Sequence, residues 1–241
     1  MRIYNEPVEM IKEVERDLFE MGIRYQTATV QDENVADNPD FMTIELMGYS
    51  YMLSSWDDQS LDRLMDYNNN NLVWGKAEAL ERLGLLRGYR YYPNPGHAWM
   101  INERSQKFWE KYIRDGFLSY SYGERWQQQI PYVIQELEKY PNTRQAIITM
   151  YDRHEDMHNW GGRDRVPCSL TYQFLLRDDK LSLIYSERSC DFIKFFSTDV
   201  YTSIILLDHI ADRIGAVPDK FIHFLGSLHA FAGDLKEKNI F

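Results

Sequence analysis

From residue 168 onward the apolar residues change their period repeatedly, and that switching confines the chain to an architecture that mixes helices with a sheet. Cys168 to Leu176 and Leu181 to Glu187 read as two strands joined at Arg177 to Lys180. Asp199 to Ile214 reads as a buried helix stopped by Gly215, and Phe221 to Phe231 as a last strand. Upstream, Trp126 to Tyr140 has the spacing of an amphipathic helix, with Ile130, Val133, Ile134 and Leu137 facing inward, and Ala146 to Tyr151 reads as a strand. A polar loop carrying Gly161 and Gly162 follows.

The first half is read the same way. Asn5 is placed to cap a helix that has Pro7 in its first turn, Ile11, Val14 and Leu18 on one face, and Gly22 at its end. Tyr25 to Leu53 suggests strands around a polar loop, Gln31 to Pro39. A helix starting near Asp57 includes Leu61, Leu64 and Met65; another spans Lys76 to Leu83; Arg87 to Pro95 is rich in tyrosine and loop residues. No internal repeat or linker interrupts the 241 residues, so one domain over the whole chain is expected.

Composition excludes several classes. The formal charge of −10 leaves no broad basic face, so no nucleic-acid partner is expected. Two cysteines do not make a disulfide framework. The start lacks signal-peptide character, and no apolar run approaches the roughly 18 residues of a membrane span. A soluble cytoplasmic protein is expected. His154 and His158 have helical spacing, but they sit among Asp152, Glu155 and Asp156 in a polar stretch that reads as a solvated loop, so no metal is expected.

Three stretches carry chemistry: Val166-Pro167-Cys168, Glu187-Arg188-Ser189-Cys190-Asp191 and Gly226-Ser227-Leu228-His229. A cysteine beside an arginine can hold a thiolate, the natural nucleophile for an electron-poor ring carbon. A lone cysteine is more often a small buried core residue, so context decides.

That context is a resemblance. From Tyr122 to Phe231 the chain resembles the thymidylate synthase superfamily, with Tyr122-Gly123, Pro141-Asn142-Thr143-Arg144, Pro167-Cys168, Gln173-Phe174, Arg188-Ser189-Cys190-Asp191 and His229 in the family's order and similar spacing. Each is weak alone; six in order are specific. The resemblance implies an α+β fold with a large mixed or antiparallel sheet, packed against its copy in a homodimer. It implies Cys168 as the nucleophile on C6 of a pyrimidine nucleoside monophosphate, with 5,10-methylenetetrahydrofolate as one-carbon donor. Arg188 and Ser189 would bind the phosphate, and Arg144 would reach the partner's phosphate across a two-fold axis. Tyr122 and His229 would order water and proton transfers, and Gln173 and Asp191 would line the pocket.

One position bears on the base. Where synthases carry Asn, this chain has Asp199. An amide matches uracil; a carboxyl can accept from the cytosine amine while a shared proton serves N3. Phage deoxycytidylate hydroxymethylases, relatives of the synthases, carry Asp there, and Gly226-Ser227-Leu228-His229 and Ser169 are also similar to their pattern. This points to hydroxymethylation of dCMP; a methylating homologue and a nucleotide-binding homologue with little catalysis are the alternatives. The other reading of Asp199 is a helix N-cap.

Four departures stand against the family pattern. Leu64 falls where the family has a catalytic Glu, with Asp62 and Asp66 as possible substitutes. Gln145 replaces a second arginine, and the N-terminal phosphate loop has no clean counterpart beyond Arg24. Phe231 stands in place of a Tyr. Phe195 replaces a Gly, and the segment after His229 is short.

Overall fold

The computed structural model describes residues 1–30, 33–85, 107, 110, 113–114, 117–118, 121–159 and 166–237; the expected loop 87–95 and the glycines Gly161 and Gly162 lie outside the described residues. Strand β1 (Arg2–Tyr4) leads into helix α1 (Pro7–Met21). Glu6, not Asn5, caps this helix, accepting from the Glu9 N–H at 2.7 Å. Pro7 sets that boundary, because its fixed φ suits the first helical position, and Asn5 accepts from the Ser54 hydroxyl instead. Gly22 follows with φ −66°. Its role is close approach, since an added Cβ would lie 2.3 Å from the Leu18 carbonyl oxygen.

Strands β2 (Ile23–Gln26), β3 (Thr29–Val30), β4 (Glu33–Asn34) and β5 (Met42–Leu53) come next. Helix α2 (Asp58–Tyr67) is capped by Asp57 in a reciprocal capping box with Ser60. Helix α3 (Leu72–Arg82) starts before the expected Lys76, because Asn71 of the asparagine run caps it through the Trp74 N–H. After the short pair β6 (Ile113–Arg114) and β7 (Phe117–Leu118), helix α4 (Tyr122–Lys139) starts ahead of Trp126, capped by Ser121. The chain continues through β8 (Ile147–Thr149), β9 (Ser169–Arg177), β10 (Lys180–Glu187), β11 (Cys190–Asp191), helix α5 (Phe196–Ile214), β12 (Val217–Phe231) and helix α6 (Ala232–Glu237).

Eight strands form one mixed sheet in the order β1-β5-β12-β10-β9-β8, with β2 beside β5 and β11 beside β12. This is the expected α+β architecture. The β9–β10 hairpin turns at Asp178 and Asp179, both at positive φ (48° and 60°), the backbone that a tight two-residue hairpin requires. β10 and β12 pair in parallel, so the chain must cross over between them, and α5 makes that crossover. Gly215 ends α5 in the left-handed conformation at φ 68°. No helix of the described residues is long and apolar enough to cross a membrane.

Alternation along the central strands decides what lies under the helices. On β10, Leu181, Leu183, Tyr185 and Glu187 are buried; on β12, Phe221, His223 and Leu225 are buried. A column of rings crosses the sheet: Trp126 meets Tyr172 edge-on at 5.3 Å, Tyr172 stacks on Tyr185 at 4.5 Å, and Tyr185 stacks on His223 at 4.7 Å. Each such pair is worth about 0.5–1.5 kcal/mol beyond area burial. The column is a stiff floor, and the chemistry-bearing residues stand at its end.

Candidate active site

Cys168 sits just before β9, half-buried, and its surroundings come from three elements. The Tyr122 hydroxyl, at the first position of α4, accepts from the backbone N–H of Cys168 at 2.8 Å and of Ser169 at 3.2 Å. Starting α4 at Tyr122 is what brings this hydroxyl to the loop. Arg188, just past β10, donates through Nε to the Pro167 carbonyl at 2.8 Å and through Nη2 to the Val166 carbonyl at 3.0 Å. Its Nη2 also lies 3.7 Å from the Cys168 Sγ. The loop that carries Cys168 is therefore held by a phenol and a guanidinium.

Asp199 stands in the first turn of α5 and is not its cap. The cap position is Phe195, which makes no side-chain capping bond. The Cys190 thiol lies 3.9 Å from Asp199 Oδ2, and one ligand atom each of Glu187, Cys190 and Asp199 lie within 4.8 Å of one another. Burial, with the Glu187 charge second, pushes the Asp199 carboxyl well above the usual carboxylate range. Burial likewise raises Glu187 to about 8 and holds the Cys190 thiol up as a neutral thiol.

Asp191 and His229 are direct partners in the β11–β12 register. Asp191 Oδ1 accepts from the Ile193 and Lys194 N–H groups at 3.0 and 3.1 Å, while its carboxyl is raised by burial. His229 is lowered by burial, with Asp191 and Glu45 acting in the opposite direction, and its Nδ1 lies 3.3 Å from the Ser227 hydroxyl. Gly226 lets this strand approach the nucleophile side: an added Cβ would sit 2.7 Å from the Arg188 carbonyl oxygen, to which the Ser227 N–H donates at 3.0 Å.

The expected residues thus fall into groups. Cys168, Tyr122 and Arg188 are joined by direct contacts. Asp199 is joined to Cys190, and Asp191 pairs with His229, on the neighbouring β11 and β12. Ser189 is half-buried between Arg188 and Cys190. Gln173 is not brought to this group by its side chain. It alternates with the buried Tyr172 and Phe174, so it lies on the opposite sheet face, and its amide donates to the Arg144 carbonyl at 3.0 Å. Arg144 itself is exposed.

The position expected for an acid, Leu64, is fully buried in the core; Asp62 pairs with Lys76, and Asp66 is exposed. The structure places other acids by the site. Glu78 and Arg82 of α3 form a buried ion pair, and the Arg82 guanidinium lies 4.6 Å from the centre of the Tyr122 ring. Glu187 hydrogen-bonds His223 Nε2 at 2.6 Å, and His223 Nδ1 bonds the Tyr51 hydroxyl at 2.9 Å. The signal for Glu187 was present in the sequence: it ends the inward series Leu181, Leu183, Tyr185 and precedes Arg188. A family model described as thymidylate synthase matches residues 91–239, more than half of the chain, and that span includes Cys168, Arg188, Asp199 and His229.

Proposed function

With the chain belonging to the thymidylate synthase family, we propose that it hydroxymethylates C5 of dCMP, using Cys168 as nucleophile. Pyrimidine C5 one-carbon transfer is the chemistry of the family, and the choice of cytosine and of water rests on this chain's own residues. The observation that carries it is Asp199. It is half-buried beside Glu187 and Cys190, is no helix cap, and has its carboxyl pushed well above the usual carboxylate range by loss of hydration. A neutral carboxyl both donates and accepts, which serves N3 and the 4-amino group of cytosine.

The donor, 5,10-methylenetetrahydrofolate, supplies a one-carbon unit at the formaldehyde level. Its pterin ring presents an amine beside a ring N–H, and Asp191 fits that donor set: Oδ1 is held by two backbone N–H groups and the carboxyl faces His229. The remaining steps belong to the chain. Arg188 beside Sγ favours the thiolate. The sulfur forms a bond to C6, and the C5–C6 π electrons move to C5, which takes up the one-carbon unit. Loss of the C5 proton, as the bond between the transferred carbon and the folate nitrogen breaks and tetrahydrofolate departs, leaves an exocyclic methylene on the ring. Water adds to that carbon, the ring electrons return between C5 and C6, and the C6–S bond breaks to restore the Cys168 thiolate. Tyr122 fixes the loop that carries the sulfur, and neutral His229 accepts and returns protons near C5. Arg188 and Ser189 hold the nucleotide phosphate. Arg144, exposed with Gln173 on the other sheet face, reaches a partner copy's phosphate in a homodimer.

The test is product mass from purified protein with the folate donor and dCMP or dUMP. A +30 Da product from dCMP supports the proposal. A +14 Da product means methylation, the second reading within the family. Product from dUMP alone overturns the role given to Asp199.

A further inference from the structure

The cluster that Asp199 belongs to has a second carboxyl that the steps above do not use. Glu187 is buried at the end of β10, and its position is over-determined. The side chain is fully enclosed, Oε1 is tied to His223 Nε2 at 2.6 Å, and His223 is anchored by the Tyr51 hydroxyl at 2.9 Å. The other oxygen, Oε2, is buried with no hydrogen-bond partner. A carboxylate oxygen left so in the interior is costly; a protonated one is much less so. The oxygens of Glu187 and Asp199 that approach Cys190 lie within 4.8 Å of each other. Two carboxyls that close, one of them fully enclosed, resist ionising together.

The groups around this pair offset the cost of ionisation only in part: Arg82 acts to lower both carboxyls, and Tyr185, Cys190 and Arg188 act to lower Glu187, but burial outweighs them. From β10 itself Tyr185 faces Glu187, and Arg188 follows it; from β11 comes the neutral Cys190 thiol, and from β12 the neutral His223. From α3, Arg82 pairs with Glu78 and lies over the face of Tyr122, and its charge also reaches Asp199. Arg188 is committed to two carbonyls and to the Cys168 sulfur. The Tyr51–His223–Glu187 chain therefore holds a second acid against Asp199 at a fixed distance.

We infer that Glu187 is a positioning and specificity-determining residue: it forms an electrostatically coupled dyad with Asp199, and as the dyad loses its first proton from Glu187, Asp199 stays protonated and able to donate to a ring nitrogen that lacks hydrogen. This deepens the dCMP reading and rests on it for the identity of the ligand. With Oε1 accepting from His223, Oε2 is the oxygen that carries the Glu187 proton. The dyad also supplies a buried acid to a site whose early helix places Leu64 in the core.

The test uses the whole protein with carboxyl-carbon labelling of Glu and Asp, titrated by NMR in the wild type, Glu187→Gln and Asp199→Asn, together with dCMP affinity from pH 6 to 9. Gln is isosteric and still accepts from His223. The dyad predicts reciprocal titration: Asp199 ionises at lower pH in Glu187→Gln, and Glu187 ionises at lower pH in Asp199→Asn. It also predicts that dCMP affinity in Glu187→Gln, normal at pH 6, falls about tenfold for each unit by which the Asp199 titration has moved down. If Glu187→Gln does not fold, the Glu187 signal in Asp199→Asn still decides the coupling. Titrations that ignore each other overturn the inference, as does an unmoved affinity profile beside a merely destabilised protein. Reciprocal titration in a wild type that binds no dCMP upholds the dyad and overturns the substrate reading instead.

Discussion

Tyr122 acts on the backbone of the loop that carries Cys168. Its hydroxyl gathers two successive backbone N–H groups, of Cys168 and Ser169, and so sets the direction from which the loop enters β9. Tyr122→Phe removes that acceptor and leaves two donors at a mostly buried site, a loss of about 1–3 kcal/mol. The expected outcome is a lower denaturation midpoint with kcat reduced more than KM is raised, checked by urea unfolding and steady-state kinetics. Asp199 is the residue on which the proposed base preference turns. Asp199→Asn is expected to reverse the base preference, lowering kcat/KM for dCMP by about 10–100-fold and raising turnover of dUMP, because an amide donates to O4 and accepts from N3–H. Competition between the two nucleotides in one reaction measures it. The sequence left two readings for Asp199, cap or recognition group. The structure removes the first, since α5 begins at Phe196 and its cap position is Phe195. Periodicity could not see this, because Phe196, Ser197 and Thr198 are buried in succession and show no helical stripe.

Elements carry the site by register. β10 and β12 run parallel from Lys180/Val217 to Glu187/Leu225, and β11 resumes the pairing at Cys190/Leu228 and Asp191/His229. Between those stretches the chain passes over Gly226, where a side chain has no room beside the Arg188 carbonyl. Gly226→Ala is expected to cost about 1–3 kcal/mol by overpacking and to pull Arg188 away from Cys168. The readouts are urea unfolding and the pH dependence of Cys168 alkylation, which should move toward that of an ordinary thiol. Much of this framework was readable from alternation and turn residues: β9, β10, the break at Asp178-Asp179, and the glycine that ends α5. Boundaries were missed where a cap decides them. Asn71 and Ser121 start α3 and α4 early, and Glu6 displaces Asn5 because Pro7 fixes the first turn. Two acids beside the candidate site were missed for a different reason. Glu78 is buried with Arg82 one turn on in the same helix, and Glu187, though it ends the inward series of β10, gains its partner only when His223 arrives from β12.

At the scale of the whole molecule, the buried Glu187–His223 pair ties stability to pH. Burial raises Glu187 from 4.5 to about 8 and lowers His223 from 6.5 to about 3. Between pH 4.5 and 6.5 the pair binds one proton folded or unfolded, so it adds no slope. Above 6.5 the unfolded histidine is neutral while folded Glu187 keeps its proton, so stability falls as pH rises, by about 2 kcal/mol by the time Glu187 ionises. Below 4.5 the unfolded glutamate gains a proton that the folded pair does not take until about pH 3, so stability falls as pH drops. Asp199, also raised by burial, adds to the alkaline decline. Urea midpoints from pH 5 to 8.5 should fall, and the fall should be shallower in Glu187→Gln.

The central claim is that Cys168 bonds to the C6 of a cytosine nucleotide during transfer to C5, and fluorine at C5 tests it, because fluorine cannot leave as the proton does and the bonded species is held. Purified protein is incubated with 5-fluoro-dCMP and methylenetetrahydrofolate, and its intact and peptide masses are recorded. The account predicts a stable adduct of nucleotide and one-carbon donor on the Cys168 peptide, absent in Cys168→Ala and weaker with 5-fluoro-dUMP. An unmodified Cys168 with both nucleotides, in protein shown to be folded, would contradict it.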